Sequence, residues 1–144
     1  MTKRALLCAA FLLSPAAIAA DSEDRTKLAG DWELQDGRTD SGIWTLEMRD
    51  QNIRVSMTRG DQKVTFECNT LGRECAGKDG SKVSLWFNGP KLVELETKGS
   101  AVTRRRFKID AAGDGMEVEV TPVSPSGKDE VLHFKRVKTA KTTP

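Results

Sequence analysis

The sequence has no tyrosine, one histidine, and only 6% aromatic residues in all. A lone His133 cannot supply the several nitrogen ligands of a typical zinc site. No Ser or Cys is placed to use it as a base, and no phosphate-cradling Gly-rich loop or acidic metal motif occurs. Asp79-Gly80 and Asp114-Gly115 read as ordinary turn residues. The chain is therefore expected to be no enzyme, to hold no metal and to need no cofactor. Long apolar runs are missing too. The most apolar stretch, Ala5 to Leu13, falls short of the roughly 20 residues that span a bilayer, so no membrane span is expected.

That stretch has another reading. Lys3 and Arg4 precede it, Ser14-Pro15 breaks it, and Ala17-Ile18-Ala19 supplies a small-x-small cleavage site. Residues 1–19 are thus expected to be a Sec-type signal peptide, with a soluble mature chain beginning at Ala20 or Asp21 in the periplasm or outside the cell. A lipoprotein signal does not fit, since Leu7 stands before Cys8 where a small residue is needed. Removing the leader takes Lys3 and Arg4 with it and leaves acids and bases equal in number. The formal charge of +2 belongs to the leader, and no nucleic-acid partner is expected.

Cysteine is equally sparse. Cys8 leaves with the leader, and Cys68 and Cys75 remain. An even pair in an exported chain is expected to oxidise. Closing so short a loop would stabilise the fold by roughly 2.5 kcal/mol in the chain-entropy model.

What is present is alternation. Segments with period 2 recur near 31–36, 42–49, 52–59, 62–69, 82–88, 91–98, 102–110, 115–122 and 129–137, divided by Gly, Asp, Asn, Ser and Pro. A short piece near 73–76 is expected to pair with 66–70, placing Cys75 opposite Cys68. With Gly60-Asp61 and Asp50-Gln51 as two-residue turns, Val55 meets Phe66 and Leu46 meets Val55 on one apolar face. A five-residue Gly37–Ser41 connection places Leu34 opposite Trp44 and Trp32 opposite Leu46. Around the turn after Asp110, Ile109 pairs with Met116, Phe107 with Val118 and Arg105 with Val120. Three-residue loops at Gly89–Lys91 and Lys98–Ser100 would keep Val83, Leu85, Phe87, Val93 and Leu95 on that face, with Glu94 and Glu96 turned to solvent. Leu132, Phe134 and Arg136 of the last strand join it.

A meander with one continuous apolar face and no helix to cover it is expected to close on itself. The expectation is an all-β, antiparallel up-and-down barrel of about 8–10 strands. Residues 20–30 lead in, 31–137 form the barrel, and 138–144 are a polar tail. Asp21 to Leu28 is expected to form one helical turn.

Leu28-Ala29-Gly30-Asp31-Trp32-Glu33-Leu34 resembles the opening Gly-x-Trp strand of lipocalins and their calycin relatives, the fatty-acid-binding proteins and avidins. The resemblance implies that Gly30, Trp32 and Arg136 close one end of the barrel, with Arg136 packed over the Trp32 ring. It also implies a cup for a small apolar ligand. The chain departs from lipocalins in having no tyrosine for their Thr-Asp-Tyr type turn, and no room for the helix after their barrel. It is similar to a compact, atypical bacterial lipocalin-like barrel.

Arg104-Arg105-Arg106 is the strongest local anomaly. Arg104 and Arg106 are expected outward, beside Glu94 and Glu119, as exposed cross-strand pairs. Arg105 shares the inner face with Thr103 and Phe107, and a buried arginine needs a partner. Inward arginines of fatty-acid-binding proteins hold a ligand carboxylate, so the resemblance makes Arg105 a candidate anchor, with Thr103 and Phe107 beside it. The other reading is that Arg105 sits near the mouth and reaches water. Trp32, Trp44 and Phe66 are expected to be core. Two functions stay open. One is a monomeric barrel that binds a small apolar or amphipathic ligand. The other is a filled barrel working through its outer surface, Trp86 included, as a protease inhibitor or a partner of an envelope protein.

Overall fold

The computed structural model describes residues 24–37 and 42–138. The proposed leader and all of the tail beyond Lys138 lie outside them. Among the described residues, ten strands form one antiparallel sheet: β1 (Gly30–Leu34), β2 (Ile43–Arg49), β3 (Asn52–Arg59), β4 (Gln62–Asn69), β5 (Cys75–Ala76), β6 (Lys82–Asn88), β7 (Lys91–Lys98), β8 (Ala101–Ile109), β9 (Gly115–Ser124) and β10 (Glu130–Arg136). The strand order is β4-β3-β2-β1-β10-β9-β8-β7-β6-β5, a meander whose first and last long strands pair with each other. The sheet curls into a nearly closed up-and-down barrel.

The hairpins follow their turn chemistry. Arg59 pairs with Gln62 across Gly60-Asp61, and Gly60 adopts φ +57, as the first position of a type II′ turn requires. Trp44–Met57, Leu46–Val55, Val55–Phe66, Ile109–Met116, Phe107–Val118 and Arg105–Val120 all stand opposite one another. The inner faces of β2, β3, β4, β8 and β9 are therefore those read from the alternation.

Three registers differ from expectation. Trp32 lies opposite Trp44, not Leu46, and Gly30 takes the Leu46 position. The slip is two residues, so the inner face is kept. The connection is longer than five residues, because pairing stops where the Leu34 amide donates to the Gly42 carbonyl. Cys75–Ala76 pairs with Lys82–Val83 of β6 instead of 66–70. The third difference matters most. Asn88 pairs with Lys91 and Lys98 with Ala101, so both turns flanking β7 have two residues, not three. One residue fewer on each side leaves β6 and β8 facing as expected but turns β7 over. Leu92, Glu94 and Glu96 point inward, while Val93 and Leu95 face out, opposite Trp86 and Ser84.

The sheet ladder does not close between β4 and β6. The Cys68–Cys75 disulfide bridges that seam, with Cα atoms 5.6 Å apart. Close to it, the Gly72 amide donates to the Leu85 carbonyl at 2.8 Å, and Leu71 bridges Trp86.

Side chains fill one half of the barrel. Trp32, Leu46, Ile53, Leu85, Phe107 and Val118 are all at most 1% exposed. A helical turn at residues 24–28 closes this end: Leu28 is fully buried, and Arg25 stacks on Phe87 at 4.7 Å while donating to the Gly89 carbonyl. No helix among the described residues is long and apolar enough to cross a membrane.

Candidate functional site

At the closed end, Gly30, Trp32 and Arg136 meet. The Arg136 guanidinium lies 4.2 Å from the Trp32 ring centroid and donates to three carbonyls, those of Lys27, Ala29 and Gly113. Trp32 Nε1 donates to the Leu28 carbonyl at 2.9 Å. Gly30 has φ +136, and a Cβ there would stand 2.5 Å from Arg136 Nη1. Only glycine lets the guanidinium lie so close to the backbone. This end of the barrel interior is plugged by side chains; the hollow of about 350 Å³ between Asp24, Lys27, Pro90 and Asp110 lies outside the plug.

The other half of the barrel is hollow. A cavity of about 410 Å³ lies between the sheet's inner faces, walled by Trp44, Val55, Met57, Phe66, Val120 and Leu132. Trp44 and Phe66, expected as core, are only partly buried and line this space. Trp44 also packs on Phe134, with ring centroids 4.9 Å apart. Exposed Lys78, Asp79, Lys98 and Glu130 stand at the rim. Lys78 and Asp79 belong to a 3-10 turn at Lys78–Gly80, beside the unpaired edge of β4.

Arg105 reaches into this cavity together with Glu94 and Glu96. The inverted β7 puts Glu94 directly opposite Arg105 and Glu96 opposite Thr103. Arg105 Nη1 donates to Glu94 Oε1 at 2.5 Å and lies 3.5 Å from Glu96 Oε1. The partner that a buried arginine needs is thus present within the chain. Glu94 is 6% exposed. Its burial pushes the carboxyl above the ordinary range, and the Arg105 charge and hydrogen bond offset this only in part, with Glu96 adding to the rise.

The other candidates are dispersed. Phe107 is 1% exposed and packs beneath Trp44, with ring centroids 6.3 Å apart. Thr103 lies two residues further along β8, next to an irregularity in the β8–β9 ladder. Neither lines the cavity. Arg106 pairs with Glu119 on the outer face at 3.8 Å, whereas Arg104 stands opposite Leu95 and Thr121, not beside Glu94. His133 is exposed, 3.8 Å from Glu117. A shallow outer hollow of about 500 Å³ lies there between Asp110 and Phe134. Its polar side chains are solvated, so the interior cavity is the candidate site. No group of three or more His, Cys, Asp or Glu among the described residues could hold a metal.

Glu94, Glu96 and the Arg25–Leu28 plug were not read from the sequence as parts of a site. The signal for the first two was available. Gly89-Pro90 and Gly99-Ser100 each begin with glycine, as Gly60-Asp61 does, and the same two-residue turn applied to them turns β7 over.

No family model matches the sequence, and no curated protein matches it. Solved structures do match. A Schistosoma mansoni fatty acid binding protein in complex with arachidonic acid superposes with TM-score 0.68 at 16% identity, over 80% of this chain and 99% of that one. The REP1-NXSQ fatty acid transporter gives 0.67 at 12%, over 80% and 99%. Secretory abundant heat soluble protein 4 from Ramazzottius varieornatus gives 0.66 at 14%, over 78% and 96%. The chain shares the up-and-down barrel fold of these structures.

Proposed function

We propose that this chain is an exported, monomeric, non-enzymatic barrel that binds one small apolar or amphipathic ligand in its open half. The observation that carries this reading is the interior cavity of about 410 Å³, apolar along its walls and polar at the Glu94–Arg105 pair. Ligand pockets are typically ~300–1,000 Å³, mostly apolar, with a few polar groups fixing orientation. Two of the similar folds are a fatty acid transporter and a fatty acid binding protein in complex with arachidonic acid, which supports the same use of the interior. Export is supported by the leader pattern and by the Cys68–Cys75 disulfide, a bond favoured in oxidising compartments. The filled-core alternative is weakened by the same cavity.

Native mass spectrometry of protein purified from its own cell envelope tests the reading. A bound mass released on unfolding is expected, together with one-to-one binding of the neutral dye Nile red. A Met57→Trp variant, which fills the cavity, is expected to lose both. A wild-type protein that carries no ligand and binds no apolar dye defeats the proposal.

A further inference from the structure

The polar end of the cavity has an unusual balance. Two carboxylates, Glu94 and Glu96, converge on the same Arg105 nitrogen at 2.5 and 3.5 Å. No hydrogen bond reaches the second oxygen of either carboxylate from any described residue, so both retain acceptor capacity. Arg105 has donors to spare as well, but they stand in the field of two acids. An entering carboxylate would be a third acid beside one guanidinium, taken out of water in a site where charges are weakly screened. An entering ammonium would face one cation and two acids. Trp44 and Phe66 line the same cavity, and aromatic faces attract cations. The rim does not reverse the balance, since Lys78 and Lys98 are matched by Asp79 and Glu130.

We propose that the cavity selects an amphipathic ligand whose polar end donates hydrogen bonds, a protonated amine on an apolar chain, and discriminates against a carboxylate. Glu94 and Glu96 are the specificity-determining residues. Arg105 holds the buried Glu94 in place and serves as its counter-ion until the ligand arrives. This rests on the ligand-binding reading above and adds the chemistry of the head group.

Isothermal titration calorimetry at pH 7 with decylamine, decanol and decanoate, each below its micelle threshold, tests the proposal on the full mature chain. Decylamine is expected to bind at least tenfold more tightly than decanoate, with decanol between them. Glu96→Gln is expected to reduce the ratio of amine to carboxylate affinity at least threefold, and Glu94→Gln further. Glu96 lies nearer the solvent and its substitution is compatible with folding, so the test survives if Glu94→Gln does not fold. Decanoate or decanol binding as well as decylamine overturns the head-group assignment and leaves the binding reading intact. So does an amine preference unchanged in Glu96→Gln. If none of the three probes binds while Nile red does, the head-group assignment falls and the binding reading stands; if Nile red fails as well, both fall.

Discussion

Arg136 covers the Trp32 ring at 4.2 Å and ties the last strand to the backbone just ahead of the first. Gly30, two residues before Trp32, leaves the space that Arg136 occupies. Replacing Arg136 with Ala would strand three carbonyls that now accept charge-assisted hydrogen bonds. The expected loss is about 3 kcal/mol or more, since hydrogen bonds to charged groups contribute roughly 1.5–3 each. Urea unfolding measures it, and a loss under about 1 kcal/mol would contradict the clasp.

Trp32→Ala removes a fully buried side chain and is expected to cost roughly 3–5 kcal/mol, the usual range for large core aromatics. An unchanged melting temperature would refute its role as the plug.

Gly30→Ala adds a methyl group at positive φ and against Arg136 Nη1. A cost of roughly 1–3 kcal/mol is expected from the backbone conformation alone. Part of any further cost should vanish when Arg136 is already Ala. A double-mutant cycle reads this coupling, and strictly additive effects would show that the two residues do not meet.

Glu94 gives a pH signature. Its carboxyl is raised in the folded chain, chiefly by burial, so the folded state holds that proton more tightly than the unfolded one. The stability contributed is fully present below the ordinary value of 4.5 and is lost as pH rises through the raised folded value. Glu96 and Arg105 face the same group and set where that loss ends. The unfolding free energy of wild type minus that of Glu94→Gln is therefore expected to fall as pH climbs from 4.5 to neutrality. A difference that grows with pH would show that Arg105 outweighs burial.

Cys68→Ser with Cys75→Ser removes the only covalent bridge across the β4–β6 seam. A loss of about 2.5 kcal/mol is expected from loop entropy. Amide exchange should quicken first in β5 and at the Cys68 end of β4. Uniform acceleration over the whole barrel would argue against a local latch.

The fold was legible because alternation and glycine turns agreed. From β2 to β4 and from β8 to β9, each hairpin placed apolar residues opposite apolar residues, and the turns chose among the two-residue slips that alternation alone leaves equal. The site was less legible because β7 sets two rules against each other. Patterning favours Val93 and Leu95 inward, with Glu94 and Glu96 in water. The two-residue turns at Gly89-Pro90 and Gly99-Ser100 demand the reverse, and they prevail. The inversion is tolerable because Arg105 lies opposite Glu94, and because Val93 is still covered, at 4% exposed, on the outer face. A buried acid and a buried base each look misplaced alone. The hollow itself leaves no mark in composition, since the same large apolar residues line it or fill it according to how they converge.

The Arg136 clasp also bears on the order of assembly. Every ladder but one joins strands adjacent along the chain; the exception is β1 with β10, and Arg136 reaches carbonyls 107 and 109 residues away. Local hairpins close with little entropic cost, whereas this contact must wait for nearly the whole polypeptide. Until β1 and β10 meet, β1–β4 and β5–β10 are therefore two separate ribbons, linked only across the Cys68–Cys75 seam, and a chain still emerging from a ribosome cannot lock. Substitutions at Arg136 should then speed unfolding while leaving the folding rate almost untouched, the behaviour of a contact made after the transition state.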